Sequence, residues 1–287
     1  MRLISPITPA EQILFSTVRV EGFKGQERWT GTGFIVVVYV EEGQFCPILV
    51  TNRHVINDAD HLLFKLHVKE DSRSDVSSGK FENCDVAKGE IFYPDDPTVD
   101  LAAIPIANLL EQLEAKGTPA FFRAVGTDTF PSTDDWSQFD VLEDIVMVGC
   151  PNGLYDATSN FAIFRKGTTA SSLSVDYEGR PEFLMDIACF GGSSGSPIFT
   201  YNPTTKYNRE TKNFELGGRG LHFVGVLYAG PTYLHEGRVI MRTPIVNLRT
   251  TMHLGFAVKS TEVRKLINKV LTHFNLHEIP SPAKPAE

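Results

Sequence analysis

Two series of short apolar segments set the narrowest limits on how this chain can fold. Gly33–Tyr39, Pro47–Thr51, His61–Val68, Glu90–Tyr93 and Leu101–Ile106 form the first series. Asp144–Val148, Phe161–Lys166, Phe183–Ile187, Pro197–Thr200, Phe223–Tyr228, Val239–Met241 and Gly255–Val258 form the second. All are rich in Val, Ile, Phe and Leu, and Gly, Asp, Asn or Pro separates them. Strands this short, punctuated this often, belong to an all-β sandwich or barrel. Lys69–Lys80 and Tyr201–Gly220 are polar and read as hairpin loops.

Helices are few. Thr8-Pro9-Ala10-Glu11 carries a cap, a first-turn proline and a capping-box glutamate. The helix it starts must be short, because Ser16–Val20 already reads as strand. Asn108–Lys116 has helical spacing and stops at Gly117, and Thr127–Trp136 reads as loop. In Ser260–Phe274, residues Val263, Leu266, Ile267, Val270 and Leu271 make one apolar face, with Ser260 as N-cap. This divides the chain into residues 1–107 (helix and first β unit), a connector 108–139, and residues 140–276 (second β unit and final helix). Residues 277–287 are expected to form a disordered tail, with three prolines from Ile279 onward.

A chain of 287 residues can bury a large core without staples. Its net charge of −8, with no Lys/Arg cluster, argues against nucleic acid as a partner. The longest apolar run, Phe34–Val40, falls far short of the roughly 20 residues a membrane helix needs. The first residues lack the apolar region of a signal peptide, so a cytoplasmic location is expected. The four cysteines, Cys46, Cys84, Cys150 and Cys189, form no CxxC pair and no zinc spacing with histidine. They read as reduced, buried thiols, and no metal or organic cofactor is expected.

Chemistry concentrates in three places. Phe190-Gly191-Gly192-Ser193-Ser194-Gly195-Ser196-Pro197 is a glycine-rich turn that can expose a serine and aim backbone N–H groups inward. Thr51-Asn52-Arg53-His54-Val55-Ile56 puts a histidine at the end of an apolar strand. Asp100-Leu101-Ala102-Ala103-Ile104 puts an aspartate at the head of another, with Asp95 and Asp96 as nearby substitutes. The order His, Asp, Ser is one of the known triad orders. The first two lie in the first unit and the serine in the second, which fits a site between two β-barrels.

With Gly31-Thr32-Gly33-Phe34-Ile35, Val148-Gly149-Cys150-Pro151-Asn152-Gly153, Phe223-Val224-Gly225-Val226 and Gly255-Phe256-Ala257-Val258 added, the chain resembles the chymotrypsin-fold serine peptidases. It is most similar to their bacterial HtrA-like branch, without a PDZ-sized segment after the peptidase region. The resemblance implies a double six-stranded antiparallel β-barrel with a C-terminal helix. It implies a serine endopeptidase acting on protein or peptide substrates. Ser194 would be the nucleophile, His54 the general base and then acid, and Asp100 the group that orients the imidazole. The N–H groups of Gly192 and Ser194 would form the oxyanion hole.

The chain departs from that pattern in informative ways. Val55 stands where secreted trypsins have a cysteine, so the nearby disulfide is absent. Ser193 stands where they have an aspartate that pairs with a newly cut N-terminus. Gating by a partner, such as a protein activator, is therefore expected in place of zymogen cleavage. Ser196 replaces a frequent glycine, and Tyr228 a small polar residue. The base of the specificity pocket would be Ala188, with Gly230 and Gly255 on its walls, which leads to an expected preference for an apolar residue before the cut. Two other readings use the same residues. One is a serine esterase, since Gly191-Gly192-Ser193-Ser194-Gly195 also spells G-x-S-x-G with Ser193 as nucleophile. The other is a silent pseudopeptidase that binds partners.

Overall fold

The computed structural model describes residues 5–71, 75–86, 90–202, 204–208, 213–216, 220–237 and 246–281. The chain opens with α1 (Pro9–Ser16), and the predicted capping box is present, Thr8 Oγ1 accepting from Glu11 N and the Glu11 carboxylate accepting from Thr8 N. The first unit contains β1 (Thr17–Lys24), β2 (Glu27–Glu41), β3 (Gln44–Thr51), α2 (Arg53–Ile56), β4 (His61–Lys69), β5 (Ser77–Val86) and β6 (Ala102–Pro105). After α3 (Ala107–Ala115) come two short strands, β7 (Ala120–Phe121) and β8 (Val125–Gly126), and then α4 (Thr133–Gln138). The second unit contains β9 (Asp144–Gly149), β10 (Ile163–Thr169), β11 (Glu182–Asp186) and β12 (Pro197–Asn202). It continues with β13 (Thr205–Asn208), β14 (Asn213–Leu216), β15 (Gly220–Ala229), β16 (Thr232–Gly237), β17 (Val246–Thr251), β18 (Leu254–Lys259) and α5 (Ser260–His273).

The expected all-β class with a C-terminal helix is what the structure shows. The second unit closes as a six-stranded barrel in the order β10-β11-β18-β15-β12-β9. In the first unit the long strands run β5-β4-β1-β2-β3-β6, with β7 and β8 added to β4 and β2. Hairpins β13–β14 and β16–β17 stand off the barrel as two-stranded ribbons.

Some segments differ from the sequence reading. Glu90–Tyr93 is not a strand, and only Phe92 bridges to Ala103. Pro94 follows at once and removes the next donor. Within Thr127–Trp136, read as loop, Ser132 and Asp135 form a capping box and start α4. The N-cap position of helix α5 is Lys259, which makes no side-chain capping bond, and Ser260 is the first helical residue, because β18 runs into the helix without a break. The expected strand Val239–Met241 and residues 282–287 of the expected tail lie outside the described residues.

Strand β2 explains how the site is framed. Gly31 to Val38 are all buried, so both faces of the strand are covered. Ile35 and Val37 join a core made by the first unit and Leu113 of α3, with no residue of the second unit. Phe34, Val36 and Val38 join a core that both units build, with Val148, Phe199 and Phe223 from the second and Val263, Leu266 and Val270 from α5. The rings of Phe34 and Phe223 lie 5.2 Å apart across this junction. The sheet of the first unit and the barrel of the second thus share one core.

Candidate active site

His54 sits in α2, the single turn that follows β3. Asp100 approaches it from the loop before β6. Asp100 Oδ1 accepts the His54 backbone N–H at 3.0 Å, and Oδ2 meets His54 Nδ1 in a short contact. Asn52 Nδ2 donates to the Asp100 carbonyl at 2.6 Å and fixes the aspartate backbone. Main chain, side chain and neighbour therefore all set the imidazole orientation. Asp95 and Asp96 are committed elsewhere, Asp95 to Lys269 Nζ and Asp96 to the N–H and hydroxyl of Thr98.

The serine loop is tied down residue by residue. Ser194 O accepts from Thr32 N at 2.8 Å, Gly195 N donates to Leu227 O at 2.8 Å, and Asn152 N donates to Gly191 O at 2.5 Å. Thr32 Oγ1 donates to Gly192 O at 2.9 Å and accepts from Cys150 N at 3.0 Å. Thr51 Oγ1 closes the cluster on Thr32 O at 2.7 Å. Gly195 has φ +89°, and a Cβ there would stand 1.9 Å from Thr32 O, so no other residue fits. The amides of Gly192 and Ser194 donate to no protein acceptor among the described residues. Gly192 itself has φ +81°, with Cys150 O where a side chain would begin.

Ser194 Oγ donates to the Tyr228 carbonyl at 3.3 Å, and no hydrogen bond joins it to His54 among the described residues. The Tyr228 phenol turns away and donates to Glu182 Oε2 at 2.9 Å. Burial first, then Glu182, holds that phenol far above its usual range, and the Asp100 charge adds to the effect. Ser193 is fully buried and its hydroxyl has no hydrogen-bond partner among the described residues. The predicted pocket residues gather around Cys189. Ala188 precedes it, and a Cβ on Gly230 or Gly255 would stand 3.3 Å from its Cβ or 2.5 Å from its Sγ.

All four cysteines are free and buried. Burial pushes Cys84 and Cys189 up to about 11 and Cys150 up to about 12, so these thiols stay protonated and offer no thiolate nucleophile. Among the described residues, no cluster of His, Cys, Asp and Glu suits a metal ion, and no helix is long and apolar enough to cross a membrane. Thr32, Thr51 and Asn52 lie in sequence motifs that give them no role of their own. Their work is done through contacts distant in sequence, which no local pattern reveals.

A closed six-stranded barrel with a pinned serine turn, joined to a second sheet whose unit carries a His-Asp pair, defines a chymotrypsin-type peptidase fold. Residues 31–203 match the trypsin-like peptidase domain, and the chain belongs to that family. Among solved structures, it is similar to the serine endoprotease of Yersinia pestis, at 17% identity and a TM-score of 0.49, covering 92% of this chain and 65% of that one. A thermostable serine protease from an extremophilic microorganism aligns at 15% identity and a TM-score of 0.49, covering 92% and 99% of the two chains. An inactivated protease paralogue of the scabies mite aligns at 12% identity and a TM-score of 0.51, covering 91% and 96%. The chain thus spans about two thirds of the length of the Yersinia protein. A search of curated proteins finds no match.

Proposed function

We propose that this chain is a serine endopeptidase that cleaves protein substrates through an acyl-enzyme on Ser194. The observation that carries the reading is the double hold of Asp100 on the backbone and ring of His54. With Nδ1 engaged, Nε2 is the nitrogen left to take the Ser194 proton and later give it to the leaving amine. Ser194 Oγ attacks the carbonyl carbon, and the free amides of Gly192 and Ser194 receive the oxyanion. Departure of the amine leaves the acyl-enzyme, which water, deprotonated by His54, hydrolyses.

The same reading includes gating by a partner. Its support is the bond of Ser194 Oγ to the Tyr228 carbonyl in place of His54, and the unpaired, buried Ser193 hydroxyl. Free, buried thiols support the cytoplasmic location. The esterase reading is weakened because Ser193 is sealed from solvent and strand β12, not a helix, follows the turn. The pseudopeptidase reading keeps one argument, since the scabies-mite relative carries this fold in an inactivated form.

Fluorophosphonate labelling separates these readings. Labelling is expected in the wild type and in Ser193→Ala, and lost in Ser194→Ala. Loss in Ser193→Ala alone would favour the esterase, and a folded wild type that never labels would mean a closed, activator-dependent site or a pseudopeptidase.

A further inference from the structure

Arg165 lies on β10, opposite Met147 of β9. Arg19 and Arg28 meet Glu21, Arg123 meets Asp75, and Arg264 meets Glu278. Arg165 meets no carboxylate among the described residues. Its Nη1 is sealed from solvent without an acceptor among the described residues. The partner it does have is aromatic, its guanidinium carbon lying 5.1 Å from the centre of the Phe190 ring. Arg165 as a whole is only half-buried, and a carboxylate accepting from its planar guanidinium would offset a charge that no protein carboxylate meets among the described residues.

Its position says where such a carboxylate would come from. Phe190 and Cys189 stand between the expected pocket base, Ala188, and the serine loop. Gly230 and Gly255 both abut Cys189. The Cys189 thiol feels the Arg165 charge, which works against the rise that burial causes. The cation therefore lies beside Phe190 and near Cys189, the two residues that link the expected pocket base to the serine loop.

We infer that Arg165 selects substrates with an acidic side chain, aspartate or glutamate, immediately before the cleaved bond. This rests on the serine-peptidase reading and replaces the apolar preference expected from Ala188. Ala188 brings no charge to the pocket, and Arg165 brings a positive one from a strand far away in sequence.

The test uses peptidyl diphenyl phosphonates that differ only in a Glu, Gln or Leu side chain at that position. A fluorophosphonate with no such side chain is run beside them. Each rate is divided by the fluorophosphonate rate of the same protein, which cancels damage to folding or to the nucleophile. The wild type is expected to react about 10–100-fold faster with the Glu probe than with the Gln probe. Arg165→Met should bring that ratio close to one, and Arg165→Lys should retain part of it. Equal Glu and Gln rates in a wild type that the fluorophosphonate labels would overturn the inference and leave the peptidase reading standing. So would a preference that survives Arg165→Met. A folded wild type that the fluorophosphonate never labels overturns the open active site that this inference needs, and with it the ungated form of the peptidase reading.

Discussion

At the residue scale, Asp100 does two jobs through two oxygens. One fixes the His54 main chain and the other its ring. An amide in its place can still accept the backbone N–H, but it presents the wrong partner to Nδ1. Asp100→Asn is therefore expected to lower kcat/KM by about 10³–10⁴-fold with little change in Tm. Peptide hydrolysis beside a thermal melt checks this, and a loss below ten-fold would count against Asp100 as the orienting group. Thr32 is a positioning residue of another kind. Thr32→Val removes the acceptor of the buried Cys150 N–H and the tie to Gly192 O. A stability loss of about 1–3 kcal/mol is expected, together with slower fluorophosphonate labelling. His54, Asp100 and Ser194 could be picked from the sequence because each sits in a short motif with its own chemical logic. Thr32 and Arg165 could not, because their importance comes from what the fold sets against them.

At the element scale, helix α1, strands β4 and β5 and the loop before β10 meet at His67. Its ring lies 4.8 Å from that of Phe15 and 5.3 Å from that of Phe161, and Ser77 Oγ is 3.4 Å from Nδ1. Burial lowers its pKa to about 4, so the folded protein keeps it neutral where the unfolded chain takes up a proton. Its stabilising effect is complete above about pH 6.5 and is lost as the pH falls toward 4, a change of about 3 kcal/mol. Urea midpoints measured from pH 7 to pH 4 should fall more steeply in the wild type than in His67→Leu. Equal slopes would show that the ring is reached by water. The elements themselves were legible where a cap or a clean run of β-branched residues marked them, as at α1 and β2. They were missed where the decisive partner lay elsewhere. Glu90–Tyr93 has strand composition but finds only one partner residue, Ala103.

At the scale of the whole molecule, two series of strands are legible in the sequence, but the core they share is not. Alternation shows that a strand has two faces without showing what each one meets. Phe34 and Ile35 look alike in the sequence and serve different cores. Because Phe34 is fully buried at the seam, Phe34→Ala is expected to cost about 3–5 kcal/mol and to destabilise both units together. A single, coincident unfolding transition by circular dichroism and tryptophan fluorescence is the expected result, and two separate steps would mean that the units fold independently. The clasp from Thr32 to Gly192 spans 160 residues of sequence. At about 5–20 residues per second, the ribosome needs on the order of ten seconds to deliver the second half of that clasp after the first. Helix α5, which completes the seam, is made later still. A newborn copy therefore exposes its unfolded first half before it owns a working serine loop. On the peptidase reading, the order of synthesis protects each nascent chain from itself, and the danger comes only from copies already finished.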